Sequence, residues 1–103
     1  MLRANTPLDT FIGTENYMRV RKYLNIHELL ANGIQTRIVH DSVCYSFWGD
    51  QLVRDYGAAI ELVKEIRIRP QEGTAFTYHS CEDLYKKWRP RIARANLDLQ
   101  LRG

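Results

Sequence analysis

Cysteine is scarce in this 103-residue chain, with Cys44 and Cys81 alone. That excludes a disulfide scaffold and any paired-thiol metal site. Proline occurs three times and the six glycines are dispersed, so there is no GxxxxGK phosphate loop and no Gly-rich or Ser-rich linker. No apolar run approaches the ~18 residues of a membrane span. The opening MLRANTPLD has none of a signal peptide's hydrophobic stretch. What the chain has instead is ordinary core material. Apolar residues make up 45 %, and Leu, Ile, Val and Phe together number 27, above the fraction at which chains stay disordered. The expectation is a single helical domain over residues 1–103. It is cytoplasmic, or peripheral to a membrane if an upstream segment is missing, and takes neither cofactor nor metal.

The apolar residues recur with the period of helices. Residues 1–13, with Pro7 and Gly13, read as an irregular or short helical lead-in. Thr14 is placed to cap a helix over 14–32 whose stripe runs through Tyr17, Val20, Leu24 and Ala31. Asn32-Gly33 should end it, because glycine takes the left-handed conformation freely. Asp41 or Ser42 then caps a helix over 42–68, with Val43, Phe47, Leu52, Tyr56, Ala59, Ile60, Val63 and Ile66 at helical intervals. Gly49 or Gly57 could mark a bend in it or a close helix contact, and Pro70 stops it. Residues 70–79 read as a loop with Pro70 and Gly73, and with Phe76 and Tyr78 as candidate anchors. Ser80-Cys81-Glu82-Asp83 resembles a helix cap, and Leu84, Trp88, Ile92 and Ala95 stripe a third helix over 80–97. Pro90 should kink or split that helix, and the closing LDLQLRG should fray. The fold class is all-α: a small antiparallel bundle of three main helices.

Chemistry-bearing residues are present without the constellations that would use them. His27-Glu28 opens a metalloprotease-like motif, but position 31 is Ala where the second His is needed. The three histidines, His27, His40 and His79, fall on separate elements. Cys44 and Cys81 each begin a helix, where a thiol can ionise, and His79 lies two residues before Cys81, yet no oxyanion turn or third triad member accompanies them. No catalytic residue is assigned. Asn25 and Glu28, three residues apart on the first helix, edge its core stripe. A carboxylate there needs a partner. At ~1.5 Å per residue an antiparallel bundle puts Arg67 some 30 Å away. It brings Arg91 or Arg94 level with Glu28, so Asn25, Glu28, Arg91 and Arg94 are the candidate buried polar network.

Charge is uneven. Residues 86–103 hold Lys86, Lys87, Arg89, Arg91, Arg94 and Arg102 against Asp98 alone, in a chain whose net charge is +3. Lys86, Lys87, Arg89, Arg91 and Arg94 form a candidate basic surface for nucleic acid or an anionic membrane, with Tyr85 or Trp88 to stack bases. Trp88 lies on the predicted core stripe, which argues against its availability.

The run Tyr23-Leu24-Asn25-Ile26-His27-Glu28-Leu29-Leu30-Ala31-Asn32-Gly33-Ile34, with Val63, Ile66-Arg67, Leu84-Tyr85 and Trp88 further on, carries an LNxxE…AxGI pattern. It resembles a prokaryotic and phage family of unknown function, number four-seven-six-zero in the domain-of-unknown-function series. The resemblance implies a small helical domain, often preceded by a membrane segment that this chain lacks. Asn25 and Glu28 match the pattern's Asn and Glu, and no catalytic role comes with them. The function expected is a non-enzymatic interaction module, binding a protein partner or a second copy of itself. The alternative is nucleic-acid or anionic-surface binding through the basic C-terminal segment.

Overall fold

A computed structural model describes residues 7–102. Over these residues the chain is all-α: α1 (Pro7–Phe11), α2 (Glu15–Gln35), α3 (Asp41–Ile68) and α4 (His79–Arg102). The short α1 is the helical alternative of the expected lead-in, and residues 1–6 of that lead-in lie outside the described residues. Pro7 suits a first helical turn, where its missing N–H costs nothing. Asp9, on α1, pairs with Arg69 just past the end of α3, and Phe11 meets Tyr17 edge-on at 5.9 Å.

Thr14 caps α2 as its sequence position implies, its Oγ1 accepting from the Tyr17 N–H at 3.1 Å. The other end differs from expectation. Gly33 lies inside the helix, which continues to Gln35, and the left-handed residue is Arg37, at φ 63°. The Ile38 N–H reaches back to the Gly33 carbonyl at 2.9 Å and the Arg37 N–H to that of Ile34 at 3.0 Å. This is the Schellman arrangement, shifted four residues on. Gly33 has a different use: a Cβ there would meet Val39 Cγ2 at 3.0 Å, so its bareness lets the returning chain lie on the helix. At the start of α3 the cap position is His40, with no side-chain cap bond, in place of Asp41 or Ser42.

Helix α4 is neither split at Pro90 nor frayed at its end, and runs as one helix to Arg102. Pro90 and Lys86 are both exposed. The Lys86 carbonyl that loses its Pro90 partner therefore faces water, which satisfies it at little cost. α3 is likewise uninterrupted at Gly49 and Gly57.

The core gathers Leu24 and Ala31 from α2, Leu52, Val63 and Ile66 from α3, and Cys81, Leu84 and Trp88 from α4. Trp88 is fully buried. At ~25 cal/mol per Å² over roughly 200 Å², it alone contributes about 5 kcal/mol of transfer free energy. Its Nε1–H has no partner among the described residues, and that offsets part of the gain.

The vertical placement of α4 decides which side chains of α2 it can meet. Residues 69–78 do not cross straight from α3 to α4 but climb the side of α2. Glu72 bonds Tyr17, Tyr78 bonds Asn25, and α4 begins only at the level of Glu28. From there α4 runs parallel to α2, past Gln35 at Asp83, and reaches Asp41 at Lys87 and Tyr45 at Arg91.

Candidate functional site

One flank of α2 presents Tyr17, Arg21, Asn25 and Glu28 at steps of four, four and three residues. This is the spacing that stacks side chains on a helix surface. The whole ladder is spent on holding residues 72–81. Tyr17 Oη donates to Glu72 Oε1 at 2.6 Å. Arg21 donates from Nε to Tyr78 Oη at 2.8 Å, and from Nη1 to Tyr17 Oη at 2.8 Å and the Glu72 carbonyl at 3.1 Å. Tyr78 Oη in turn donates to Asn25 Oδ1 at 2.6 Å. Glu28 takes the backbone N–H of Cys81 at 2.9 Å on Oε1 and that of Ser80 at 3.3 Å on Oε2. A carboxylate from α2 thus caps α4, where the helix dipole favours negative charge. Burial raises the phenol pKa of both Tyr17 and Tyr78, with Glu72 adding to the rise at Tyr17 and Arg21 opposing it at both.

These bonds hold a strained turn. Tyr78 has φ 61°, a conformation a bulky residue avoids at a cost of order 1–3 kcal/mol. Its buried ring and the bonds to Arg21 and Asn25 fix it there.

The structure therefore brings Asn25 and Glu28 into one network but joins them to Tyr78 and the start of α4. Arg91 and Arg94 are elsewhere. Arg91 lies over the Tyr45 ring at 3.7 Å and Arg94 is exposed. The reason is the climb of residues 69–78, which places Arg91 beyond the last turn of α2. The network is also shallower than a buried one, since Asn25 is exposed and Glu28 half-buried. Tyr17 is read from the sequence as a core residue and Tyr78 as a loop anchor, but their polar roles, and Arg21 and Glu72 altogether, are missed, although Tyr17, Arg21 and Asn25 recur at four-residue steps. The expected cap within Ser80–Asp83 is absent: Ser80 Oγ donates to Gln35 Oε1 at 2.7 Å instead.

A second polar group sits between α2 and α3. His27 is buried, accepts the Trp48 Nε1–H on Nδ1 at 2.7 Å, and turns Nε2 toward Asp55 Oδ2 at 3.5 Å, long for a hydrogen bond. Indole N–H only donates, so Nδ1 must be bare and the ring proton belongs on Nε2. Burial lowers the His27 pKa, and Asp55 opposes that shift without cancelling it. Trp48 stacks on His27 at 5.2 Å and meets Trp88 edge-on at 5.8 Å.

Cys81 is fully buried; burial first, and then the Glu28 carboxylate, push its thiol pKa up. This reverses the expectation that a helix start ionises the thiol: burial outweighs the dipole, and the Glu28 carboxylate that already occupies the helix start adds to the rise. His79 is exposed, with Nε2 3.4 Å from Asp83. Among the described residues no group of three or more His, Cys, Asp or Glu could hold a metal.

The basic segment does not form one face. Lys87 is paired with Asp41 at 2.6 Å, Lys86 lies 3.9 Å from Glu82, and Arg89 stands over Tyr85 at 6.0 Å. Trp88, offered as a stacking residue, is in the core. On the opposite side of the bundle an apolar cleft of about 630 Å³ is walled by Leu8, Phe11, Val20, Ala59 and Leu62, with Arg19 and Asp55 at its edge. No helix among the described residues is long and apolar enough to cross a membrane.

The model of the family "Domain of unknown function (DUF4760)" matches residues 3–88, and the chain belongs to that family. The match spans the α2 ladder and ends at Trp88, the last buried residue of α4. No curated protein and no solved structure matches the chain.

Proposed function

We propose that this family member is a non-enzymatic helical interaction module that receives a protein partner along the free end of α4. The observation that carries the reading is the continuation of α4 beyond the bundle. Cys81, Leu84 and Trp88 fill the core, Ile92 is half-buried next to them, and Ala95 and Leu99 extend the same stripe into solvent. Past Trp88 the helix runs for about 20 Å at ~1.5 Å per residue. Leu97, Leu99 and Leu101 are 54 %, 67 % and 78 % exposed there. An exposed helical segment gains little from its own hydrogen bonds in water, and packing is what stabilises it.

Charge selects the partner. Arg91, Arg94 and Arg102 flank the stripe against Asp98 alone, so two copies of this end repel each other. A stripe of three or four side chains also falls well short of the ~800 Å² per partner of a stable interface. An amphipathic helix with an apolar seam and acidic flanks fits both features. The non-enzymatic part of the reading is supported by Cys81, held as a protonated thiol in the core, and by His27, committed to Trp48 and Asp55.

The test titrates the chain with two synthetic helical peptides sharing a Leu seam, one flanked by Glu and one by Lys, alongside sedimentation of the chain alone. Saturable binding of the Glu-flanked peptide, lost in Leu99→Asp and absent for the Lys-flanked one, is expected. Equal binding of both peptides, or a concentration-dependent dimer abolished by Leu99→Asp, would overturn it.

A further inference from the structure

A groove of about 330 Å³ lies between α3 and α4, away from the free end of α4 and independent of any partner docked there. Four cations line it, Lys64 and Arg67 from α3 and Lys86 and Arg89 from α4, against one acid, Glu82. Its wall is aromatic. Tyr85 lies against α3 at Gly57, where an added Cβ would stand 3.4 Å from the ring, and packs on Tyr56 at 5.3 Å between centroids. Ile60 and Val63 continue the apolar surface.

Arg67 is the fixed point of the groove. Its Nε donates to the Thr77 carbonyl at 2.8 Å and its Nη1 to Glu82 Oε2 at 3.2 Å. Nη2 is buried with no acceptor among the described residues. That N–H is closed to solvent, but Arg67 itself lines the groove and its side chain is 17 % exposed, so its fixed guanidinium charge draws an anion there. Lys64, Lys86 and Arg89 are exposed at the rim. Their present contacts, Lys64 with Glu61 at 3.3 Å, Lys86 with Glu82 at 3.9 Å and Arg89 over Tyr85 at 6.0 Å, are weak surface contacts that can yield to a group with oxygens pointing several ways. A phosphate has that geometry, whereas a carboxylate offers two coplanar oxygens. The volume is near the lower end for small-molecule pockets, ~300 Å³, too small for a length of nucleic acid.

We propose that the α3–α4 groove binds a small organic phosphate, the phosphoryl group held among Arg67, Lys64, Lys86 and Arg89 and a flat body resting on Tyr85. Glu82 competes with the ligand for Arg67, so it sets the affinity.

The experiment is an amide NMR titration of the whole chain with adenosine monophosphate, and separately with inorganic phosphate, at fixed ionic strength. Saturable shifts at Lys64, Arg67, Tyr85 and Arg89 are expected. The double variant Lys64→Ala/Arg89→Ala should weaken binding at least tenfold and Glu82→Gln should tighten it several-fold. Lys87→Ala and Arg94→Ala, remote from the groove, should leave it unchanged. Thermal melts confirm that each variant is folded. Absence of saturable shifts at millimolar ligand overturns the proposal. So do shifts that track every cation of residues 86–94 alike, the mark of a diffuse charge effect. Inorganic phosphate binding as tightly as the nucleotide overturns the role given to Tyr85.

Discussion

Removing the Glu28 side chain tests how much of the fold hangs on a single carboxylate. Glu28 caps α4 from α2 by accepting the Cys81 and Ser80 N–H groups at 2.9 and 3.3 Å. Loss of a helix cap costs ~1–2 kcal/mol, and loss of a negative charge at a helix N-terminus adds ~0.5–1 kcal/mol. Glu28→Ala should therefore destabilise the chain by about 2–3 kcal/mol, lowering the melting temperature by on the order of 10 °C. Glu28→Gln keeps one acceptor oxygen and the side-chain volume but loses the charge and one bond, so about half that loss is expected. The primary assay is urea unfolding, read as a shift in midpoint at constant slope. A second assay localises the effect: hydrogen exchange of the Ser80 and Cys81 amides should speed up in Glu28→Ala well before the α3 core amides respond. A midpoint for Glu28→Ala within ~0.5 kcal/mol of the parent would refute the capping argument, as surface changes without a special role fall in that range. Equal losses in both variants with unchanged exchange at Ser80 and Cys81 would refute it as well.

Acid should weaken the fold through His27. Its folded pKa lies below the unfolded value of ~6.5 because burial outweighs the pull of Asp55. Below that unfolded value the unfolded chain takes up the proton first, so stability is complete above pH ~6.5 and declines as pH falls toward the folded pKa. Protonating Nδ1 also ends the Trp48 bond, since both groups would then donate. The described groups facing His27 are the Asp55 carboxylate and the Tyr23 and Trp48 rings; His27→Gln should flatten this limb of the pH–stability curve, and an unaltered slope would count against the assignment. Gly57 of α3 and Gly73 of the following loop should respond in opposite directions. Gly57→Ala places its Cβ in ordinary contact with Tyr85 and gains helix propensity, for about 0.5–1 kcal/mol of stabilisation. Gly73→Ala would drive a Cβ to within 2.6 Å of Thr77 Oγ1 and 2.9 Å of Ile66 Cγ2, for a loss of ~1–3 kcal/mol. Thermal melts of the two variants decide both signs.

Much of this architecture was legible in the residues themselves. The spacing of Tyr17, Leu24 and Ala31, of Leu52, Tyr56 and Val63, and of Leu84 and Trp88 marked three helices and the side each buries, because a helix turns by 3.6 residues whatever surrounds it. Thr14 and Pro70 marked two of the ends for equally local reasons. Asn25 and Glu28 stood out because polar groups edging an apolar stripe must find partners. The identity of those partners was not local. It depended on residues 69–78 climbing the side of α2, which set α4 at the level of Glu28 and turned the carboxylate toward backbone N–H groups where Arg91 or Arg94 had been expected. Periodicity fixes the face of one helix, but the offset between two helices belongs to the path of the chain joining them. That path was decided by Arg21, Tyr78 and Glu72, residues separated by about fifty positions that meet only in the folded chain.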